Sequence, residues 1–283
     1  MARVGRRPAW EGEPVARWAK RWGVPLLEVH ARLGSTNDRA RRIARAGAPS
    51  FSVVIADEQT RGRGRQGRRW LSPPRAGLWM SVVLAGRPSR HATVPLLTGI
   101  AAARAIEDVC PDLRAEIEWP NDLVVGGRKV GGILCESWDN GAGNRGMAIG
   151  TGINISQRAA DFPPELRGRA ASLRAKGATS VSRPVLAGTL LARMRELLAS
   201  GPARLEGATH RELTRRDALM DRAVVLGSGE TGTARGISSE GALLFEEPGG
   251  GMREIRSGSV TPLPCPRPHP APGPGEAARS STA

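Results

Sequence analysis

The sequence contains no apolar run that approaches the roughly 18 to 20 residues needed to cross a bilayer. It is also poor in cysteine, and the three present, Cys110, Cys135 and Cys265, are odd in number and widely spaced. Such spacing excludes a disulfide framework and does not fit a zinc site. The N-terminus has arginines but no apolar stretch behind them, so it lacks the middle region of a secretory signal. Together, these absences predict a soluble cytoplasmic protein with no membrane partner.

Lysine is scarce in an otherwise basic chain. Of 42 Lys and Arg residues, only Lys20, Lys129 and Lys176 are lysines, and any lysine kept against this bias is a candidate for a specific role. With 27 acidic residues the net charge is +15, which argues against an acidic mimic of a partner. The charge is compatible with a basic nucleic-acid-binding protein. Because the arginines are spread along the whole chain, that interpretation remains an alternative.

The sequence lacks the usual signatures of covalent, general-base and metal catalysis. The four histidines have no triad-like or ligand-like neighbours, and no G-x-S-x-G elbow is present. We therefore expect a reaction driven by fixed positive charge and positioning. Activation of a carboxylate by a nucleotide fits, because negative charge accumulates on phosphate oxygens that arginine, lysine and Mg²⁺ stabilise.

Hydrophobic patterning predicts an α+β chain in four regions. An arginine-rich flexible leader (1–22) precedes a main domain (23–220), in which β-branched runs predict strands and apolar positions at helical spacing predict helices at 35–47, 93–110 and 184–199. Glycine-rich turns imply antiparallel pairing of the short strands between 114 and 156. Only short strands follow in 221–263, which predicts a small β-barrel, and a proline-rich segment (264–283) is expected to be disordered.

A glycine and arginine segment, QTRGRGRQGRRW (59–70), is the first candidate binding element. Its glycines match G-x-G-x-x-G, but Pro73 and Pro74 forbid the helix that a dinucleotide site requires. A loop that closes on a bound anion fits better, because Arg63 and Arg65 offer forked donors for carboxylate or phosphate oxygens. A solvated basic loop is the alternative.

Two further segments carry polar residues beside glycines. In EWPNDLVVGGRKVGGIL (118–134), Lys129 follows a glycine turn and precedes Gly131 and Gly132, so its ammonium can reach a ligand lying over a flat strand. No Walker loop is present. Asn121 and Asp122 follow a proline, where small polar side chains often satisfy only their own backbone. In GTGINIS (150–156), Asn154 ends a predicted strand.

The order and spacing of STND, QTRGRGRQGRRW, WPNDL with KVGGIL, and GTGINIS resemble those of biotin protein ligases. The resemblance extends from about residue 26 to residue 263. It implies a mixed sheet flanked by helices, akin to class II aminoacyl-tRNA synthetases, followed by an SH3-like barrel. It further implies an enzyme that, with Mg²⁺, converts biotin and ATP into biotinyl-5′-AMP and pyrophosphate. The enzyme then passes biotin to a lysine of the biotin carboxyl-carrier domain of a carboxylase.

The same resemblance assigns site residues position by position. Lys129, Arg63 and Arg65 are the implied catalytic residues. The implied biotin contacts are Ser35, Thr36, Asn37, Gln59, Arg63, Gly64, Arg65, Lys129, Gly131 and Gly132. The implied nucleotide contacts are Arg65, Trp70, Asn121, Asp122 and Asn154. No metal is expected to be fixed by the protein alone, since Mg²⁺ would arrive with ATP.

One position departs from the family pattern: Glu118 stands before Trp119, where the family usually has lysine. Either Glu118 points away from the nucleotide or a neighbouring arginine offsets its charge. A lipoate or octanoate transferase of the same fold group is the alternative enzyme, against which the arginine-glycine loop and the WPND segment discriminate. Too few residues precede the ligase region for a DNA-binding domain, so no specific DNA is expected, and a homodimer is compatible with the sequence.

Overall fold

The computed structural model describes residues 6–86, 92–139, 145–199 and 205–264. The helices are α1 (Val15–Trp22), α2 (Thr36–Arg45), α3 (Thr93–Val109), α4 (Arg183–Ala199) and α5 (Gly207–Arg216). The first nine strands are β1 (Ala9–Trp10), β2 (Glu13–Pro14), β3 (Leu27–Leu33), β4 (Val53–Gln59), β5 (Gly77–Ala85), β6 (Ala115–Glu118), β7 (Asp122–Val125), β8 (Arg128–Asp139) and β9 (Arg145–Asn154). The last five are β10 (Ala223–Leu226), β11 (Thr231–Ile237), β12 (Leu243–Glu246), β13 (Met252–Ile255) and β14 (Val260–Pro262).

A seven-stranded mixed sheet in the order β3-β4-β5-β9-β8-β7-β6 forms the centre of the main domain. Only the β3–β4 pair is parallel among the strand pairs of this sheet in the described residues. Along β4, Val53 and Ile55 join the large core that includes α3 and α4, whereas Val54 joins a separate cluster with α2. Since neighbouring residues of a strand point to opposite faces, helices cover both faces of the sheet. The predicted α+β class is thereby confirmed.

The terminal strands form a separate antiparallel sheet in the order β13-β12-β11-β10-β14. This arrangement is compatible with the predicted SH3-like barrel. The sheet is attached to the main domain, because the Trp119 indole Nε1 donates to the Gly241 carbonyl at 2.9 Å. Its last strand lies beside the cavity described below.

The flexible leader expected over residues 1–22 is wrong for residues 6–22. They form β1, β2 and α1, and Trp10, Trp18 and Trp22 are buried. The Trp18 and Trp22 rings stack with centroids 5.6 Å apart, and Trp18 Nε1 donates to the Trp10 carbonyl at 2.9 Å. Three large aromatic side chains thus supply the apolar anchor that the arginine-rich composition concealed.

Two other predictions involve residues outside those described. The proline-rich tail beyond residue 264, with Cys265 and His269, lies outside the described residues, as does His91.

A feature that the sequence did not predict is α5, which ends in two arginines and packs against β6 and β11. Within the described part of the chain, no helix is both long and apolar enough to cross a membrane.

Candidate active site

A cavity of about 470 Å³ opens on the α2 face of the central sheet. Its floor is unusually flat because glycine occupies the cavity-facing positions of two paired strands. Gly150 and Gly152 lie two residues apart on β9, and Gly132 of β8 pairs with Gly152. A Cβ on Gly150 would lie 2.5 Å from Asn37 Oδ1, and one on Gly152 would lie 2.5 Å from Trp70 Nε1. The missing side chains therefore make room for groups that lie directly on the strands.

Over Gly150 stands a cluster of amide and hydroxyl groups. The Thr36 backbone N–H and Oγ1–H both donate to Gln59 Oε1, at 2.9 and 3.0 Å. Ser81 Oγ lies 2.7 Å from Thr36 Oγ1 and 2.6 Å from Asn37 Oδ1. Thr36 and Asn37 are the first two residues of α2, which follows the extended Ser35 at its N-cap. The cluster offers a buried set of donors and acceptors for a neutral polar ring.

About 7 Å along the floor, over Gly152 and Gly132, the site becomes charged. Lys129 Nζ lies 2.5 Å from Asp122 Oδ2 and 5.4 Å from the centroid of the Trp70 ring. Arg65 Nη1 makes a long hydrogen bond of 3.4 Å to Asn121 Oδ1. Among the described residues Arg65 has no carboxylate within ion-pair distance, and burial lowers the pKa of its guanidinium. Arg65 thus offers a partly desolvated positive charge to a ligand.

A β-bulge brings Lys129 to the cavity. The register of β7 against β8 changes between Leu123, which pairs with Gly131, and Val124, which pairs with Lys129. The extra residue, Val130, is fully buried. If the strand were regular from Lys129 to Gly132, these two residues would point to opposite faces, because side chains of a regular strand alternate. The bulge places both on the cavity face.

The structure brings all but one of the predicted site residues to this cavity. Lining it are Ser35, Thr36, Asn37, Gln59, Arg63, Gly64, Arg65, Trp70, Asn121, Asp122, Lys129, Gly132 and Asn154. The exception is Gly131, whose predicted biotin contact the structure does not support. A Cβ on Gly131 would lie 2.9 Å from the Gly152 carbonyl and 3.0 Å from Leu123, because this residue faces the core side of the sheet.

Three further residues of this lining also make contacts within the protein. Asn121 Nδ2 donates to the Ile133 carbonyl at 2.8 Å, and Asn154 Nδ2 donates to the Ala171 carbonyl at 3.0 Å. Arg63 forms ion pairs with Asp38 and Glu136. Their side chains hold the cavity walls in place, and their predicted contacts with substrate stay predictions.

Glu118, the departure noted in the sequence, lines the cavity rather than pointing away. Burial raises the pKa of its carboxyl, and the neighbouring Asp122 raises it further. Lys129, Arg169 and Arg222 act in the opposite direction. The first of the two explanations, in which Glu118 points away, is therefore not supported, and the net shift of its pKa stays upward despite these three cations.

Residues far along the chain complete the walls, and no local pattern identified them. Phe162 and Arg169 line the cavity and lie in a segment of short turns. Ser81 lies inside an apolar strand and hydrogen-bonds to the lining residues Thr36 and Asn37. The terminal sheet contributes Gly258, Ser259, Val260, Thr261 and Pro262. Only the packing of that sheet against the main domain identifies these residues.

Comparison with known proteins shows which characterised proteins the chain resembles. A sequence model of the biotin/lipoate A/B protein ligase family matches residues 29–154. The bifunctional ligase/repressor BirA of Bacillus subtilis is 35% identical over 230 residues, which are 78% of this chain and 69% of that protein. The biotin--[acetyl-CoA-carboxylase] ligase of Paracoccus denitrificans is 33% identical over 234 residues, 78% of this chain and 94% of that protein. Among solved structures, a biotin protein ligase from Aquifex aeolicus in complex with biotin and ATP covers 84% of this chain and 100% of its own, with 27% identity and a TM-score of 0.72.

Proposed function

The chain belongs to the biotin/lipoate A/B protein ligase family, and from this premise we propose how its cavity carries out the reaction. It is an ATP-dependent biotin protein ligase, and biotin and ATP are its substrates. The alternative transferase of lipoate or octanoate is not favoured. The observation that supports the proposal most directly is the shared cavity, in which Thr36 and Gln59 form the polar end and Arg65 and Lys129 the cationic end.

We propose that the polar cluster over Gly150 binds the ureido ring of biotin. That ring is neutral and has both N–H donors and a carbonyl acceptor, which the side chains of Thr36, Asn37 and Gln59 can satisfy. Hydrogen bonds from these side chains to the ring would replace the hydrogen bonds that they now make with one another, so that no buried polar group loses its partner. The valeryl chain would then run along the glycine floor toward Lys129.

At the cationic end, Lys129 and Arg65 would hold the biotin carboxylate beside the α-phosphate of ATP. A carboxylate oxygen attacks the α-phosphorus, the bond from that phosphorus to the bridging oxygen breaks, and pyrophosphate leaves with the electron pair. Negative charge accumulates on the phosphate oxygens, and positive side chains already in place stabilise it without reorganisation. In the second step the acceptor lysine amine attacks the biotinyl carbonyl carbon, loses a proton, and AMP leaves.

The described residues contain no cluster of three or more His, Cys, Asp or Glu suited to a metal. Mg²⁺ commonly binds through one or two carboxylates together with substrate phosphates. Asp122 fits that role, because its Oδ1 is buried without a hydrogen-bond partner. We propose that Asp122 contributes to holding Mg²⁺ with the nucleotide, where the ion would neutralise phosphate charge.

The reaction is tested in two separate steps. Biotin-dependent exchange of labelled pyrophosphate into ATP measures adenylate formation, and transfer of labelled biotin to a biotin carboxyl-carrier domain, the proposed acceptor, measures the second step. We expect both with biotin and neither with octanoate or lipoate. Exchange driven by octanoate instead would overturn the assignment, and a salt-sensitive gel shift without exchange would favour the nucleic-acid alternative.

A further inference from the structure

The guanidinium of Arg63 is held between two carboxylates from different parts of the sequence. Its Nη1 and Nη2 donate to Asp38 Oδ2 and Oδ1, both at 2.9 Å. Nη2 also lies 2.9 and 3.0 Å from the two carboxylate oxygens of Glu136. Asp38 is on α2 and Glu136 is on β8, so one loop side chain joins two elements of the scaffold. We call these three residues the Arg63 clamp.

The scaffold side of the clamp is itself fixed in position. Asn37 Nδ2 donates to Glu136 Oε2 at 2.7 Å and to the Leu134 carbonyl at 3.1 Å. Asn37 lies directly over Gly150, whose position has no room for a Cβ. Glu136 is therefore connected through one amide to the polar end of the cavity, where we place the biotin ring. Movement at that end is expected to reach the clamp.

The loop side of the clamp carries the residues that face the ligand. Backbone bonds close residues 62–70 into a small ring, with Gly64 N–H donating to Arg68 O at 2.7 Å and Trp70 N–H donating to Gly62 O at 3.0 Å. Arg65 and Trp70 belong to this ring and line the cavity. Fixing Arg63 therefore also restrains Arg65 and Trp70.

Charge separates the roles of the two loop arginines. Arg63 is already paired with two carboxylates, one of which, Asp38, also pairs with Arg41, so its guanidinium is less available to a phosphate than an unpaired arginine. Its hydrogen bond to Asp38 lowers the pKa of that carboxyl, which keeps the pair charged. Arg65, by contrast, is bonded to a neutral amide. The loop thus has one arginine committed to the scaffold and one open to the substrate.

We propose that Glu136 and Asp38 are positioning residues that act through Arg63 to hold the 62–70 loop over the cavity. The proposal rests on the ligase function argued above and adds that this loop covers the adenylate formed in the cavity. It reassigns Arg63, which the sequence predicted to be catalytic, to the anchoring of the loop. The clamp would slow the escape of biotinyl-AMP and leave the cationic end to Arg65 and Lys129.

The test uses Glu136→Gln and Asp38→Asn in the full chain, each of which keeps the shape and removes one charge. We expect trypsin to cleave the 62–70 loop about tenfold faster in the absence of ligand, since coupling energies within one charge network are typically large enough for a tenfold change. We also expect the KM for biotin and the release rate of biotinyl-AMP, trapped with hydroxylamine, to rise more than kcat for pyrophosphate exchange falls.

A matched control is available in the terminal sheet. Arg235 likewise lies between two carboxylates, 2.7 Å from Asp221 and 2.7 Å from Glu246, and none of the three lines the cavity. Glu246→Gln should change neither proteolysis of the loop nor adenylate release. An effect as large as that of Glu136→Gln would mean that a general loss of negative charge, and not the Arg63 clamp, causes the change, and it would overturn the proposal.

A double-mutant comparison tests whether Glu136 acts through Arg63. In an Arg63→Ala background, Glu136→Gln should add less than twofold to loop cleavage and to adenylate release. Fully additive effects, or unchanged cleavage in both single variants, would overturn the proposal. Cleavage of the loop does not depend on activity, so absence of exchange in the wild-type chain would instead count against the ligase function alone.

Discussion

The ammonium nitrogen of Lys129 lies 2.5 Å from a carboxylate oxygen of Asp122 on the cavity face of the central sheet. Both residues occupy that face because β7 and β8 change register at the bulge formed by Val130. The pair places one exchangeable positive charge beside the buried Asp122 Oδ1, which has no hydrogen-bond partner. A phosphate or carboxylate group entering the site would compete with Asp122 for Lys129.

Lys129→Ala should therefore lower the rate of biotin-dependent pyrophosphate exchange by about 10²- to 10³-fold, the usual cost of removing one preorganised charge from a transition state. The fold should be retained, since the Lys129 side chain is partly exposed. Lys176→Ala is the matched control, because among the described residues that lysine donates to the Gly126 carbonyl, and neither residue lines the cavity. Near-normal exchange by Lys129→Ala would contradict the role assigned to it.

Arg65→Gly should release adenylate rather than prevent its formation. The substitution removes the cation with no carboxylate partner among the described residues and adds backbone freedom to the 62–70 loop. Hydroxylamine trapping should detect free biotinyl-AMP at a rate about tenfold or more above wild type. The same retention of adenylate as in wild type would show that Arg65 does not restrain the intermediate.

Gly152→Ala should displace Trp70, because the added methyl group would lie 2.5 Å from the Trp70 Nε1 atom. Overpacking of this kind costs about 1 to 3 kcal/mol. We expect a KM for ATP raised about tenfold, together with a change in tryptophan fluorescence. Gly249→Ala, which meets no atom within 4 Å, is the control and should leave both unchanged. An unchanged KM for ATP in Gly152→Ala would show that Trp70 does not contribute to nucleotide binding.

Trp18→Ala should destabilise the whole main domain if residues 6–22 are part of its core. The expected loss is about 3 to 5 kcal/mol, as for other large buried aromatic residues. Lys20→Ala, an exposed position on the same helix, should cost less than about 0.5 kcal/mol. Urea unfolding at equilibrium measures both. A loss below 1 kcal/mol for Trp18→Ala would restore the flexible-leader interpretation.

Asp217 gives a prediction about pH. Burial raises the pKa of this carboxyl to about 6, although a hydrogen bond from the Leu219 N–H acts to lower it. A raised pKa in the folded state favours the protonated form. The stabilising contribution of protonated Asp217 to the free energy of unfolding is therefore fully present below the unfolded pKa near 4. It is lost as the pH rises through about 6.

Asp217→Asn should accordingly raise the free energy of unfolding at pH 7 by at most about 3 kcal/mol, with the gain disappearing below pH 4. Urea titrations at pH 4 and pH 7 measure the difference. A gain of the same size at both values would mean that packing rather than ionisation is responsible.

Local sequence patterns were sufficient for most of the elements. The helices predicted over 35–47, 93–110 and 184–199 are α2, α3 and α4, because helical periodicity shows directly which residues a single element buries. The prediction for residues 6–22 was wrong because this segment shows no apolar periodicity of its own. Trp10, Trp18 and Trp22 are few and set among arginines, and only their joint burial in the main core reveals their role.

What the sequence by itself determined was the set of chemical groups: one lysine between glycine turns, an arginine-glycine loop, and short polar motifs in a fixed order that identified the family. The tertiary structure decided how those groups are used. A one-residue bulge turned Lys129 into the cavity and left Gly131 on the other face. The pairing of Arg63 with Asp38 and Glu136, 25 and 73 residues away, neutralised one loop arginine and left Arg65 without a carboxylate partner among the described residues. The position of a bulge and the partners of a long-range ion pair depend on how whole elements pack, which local patterns do not show.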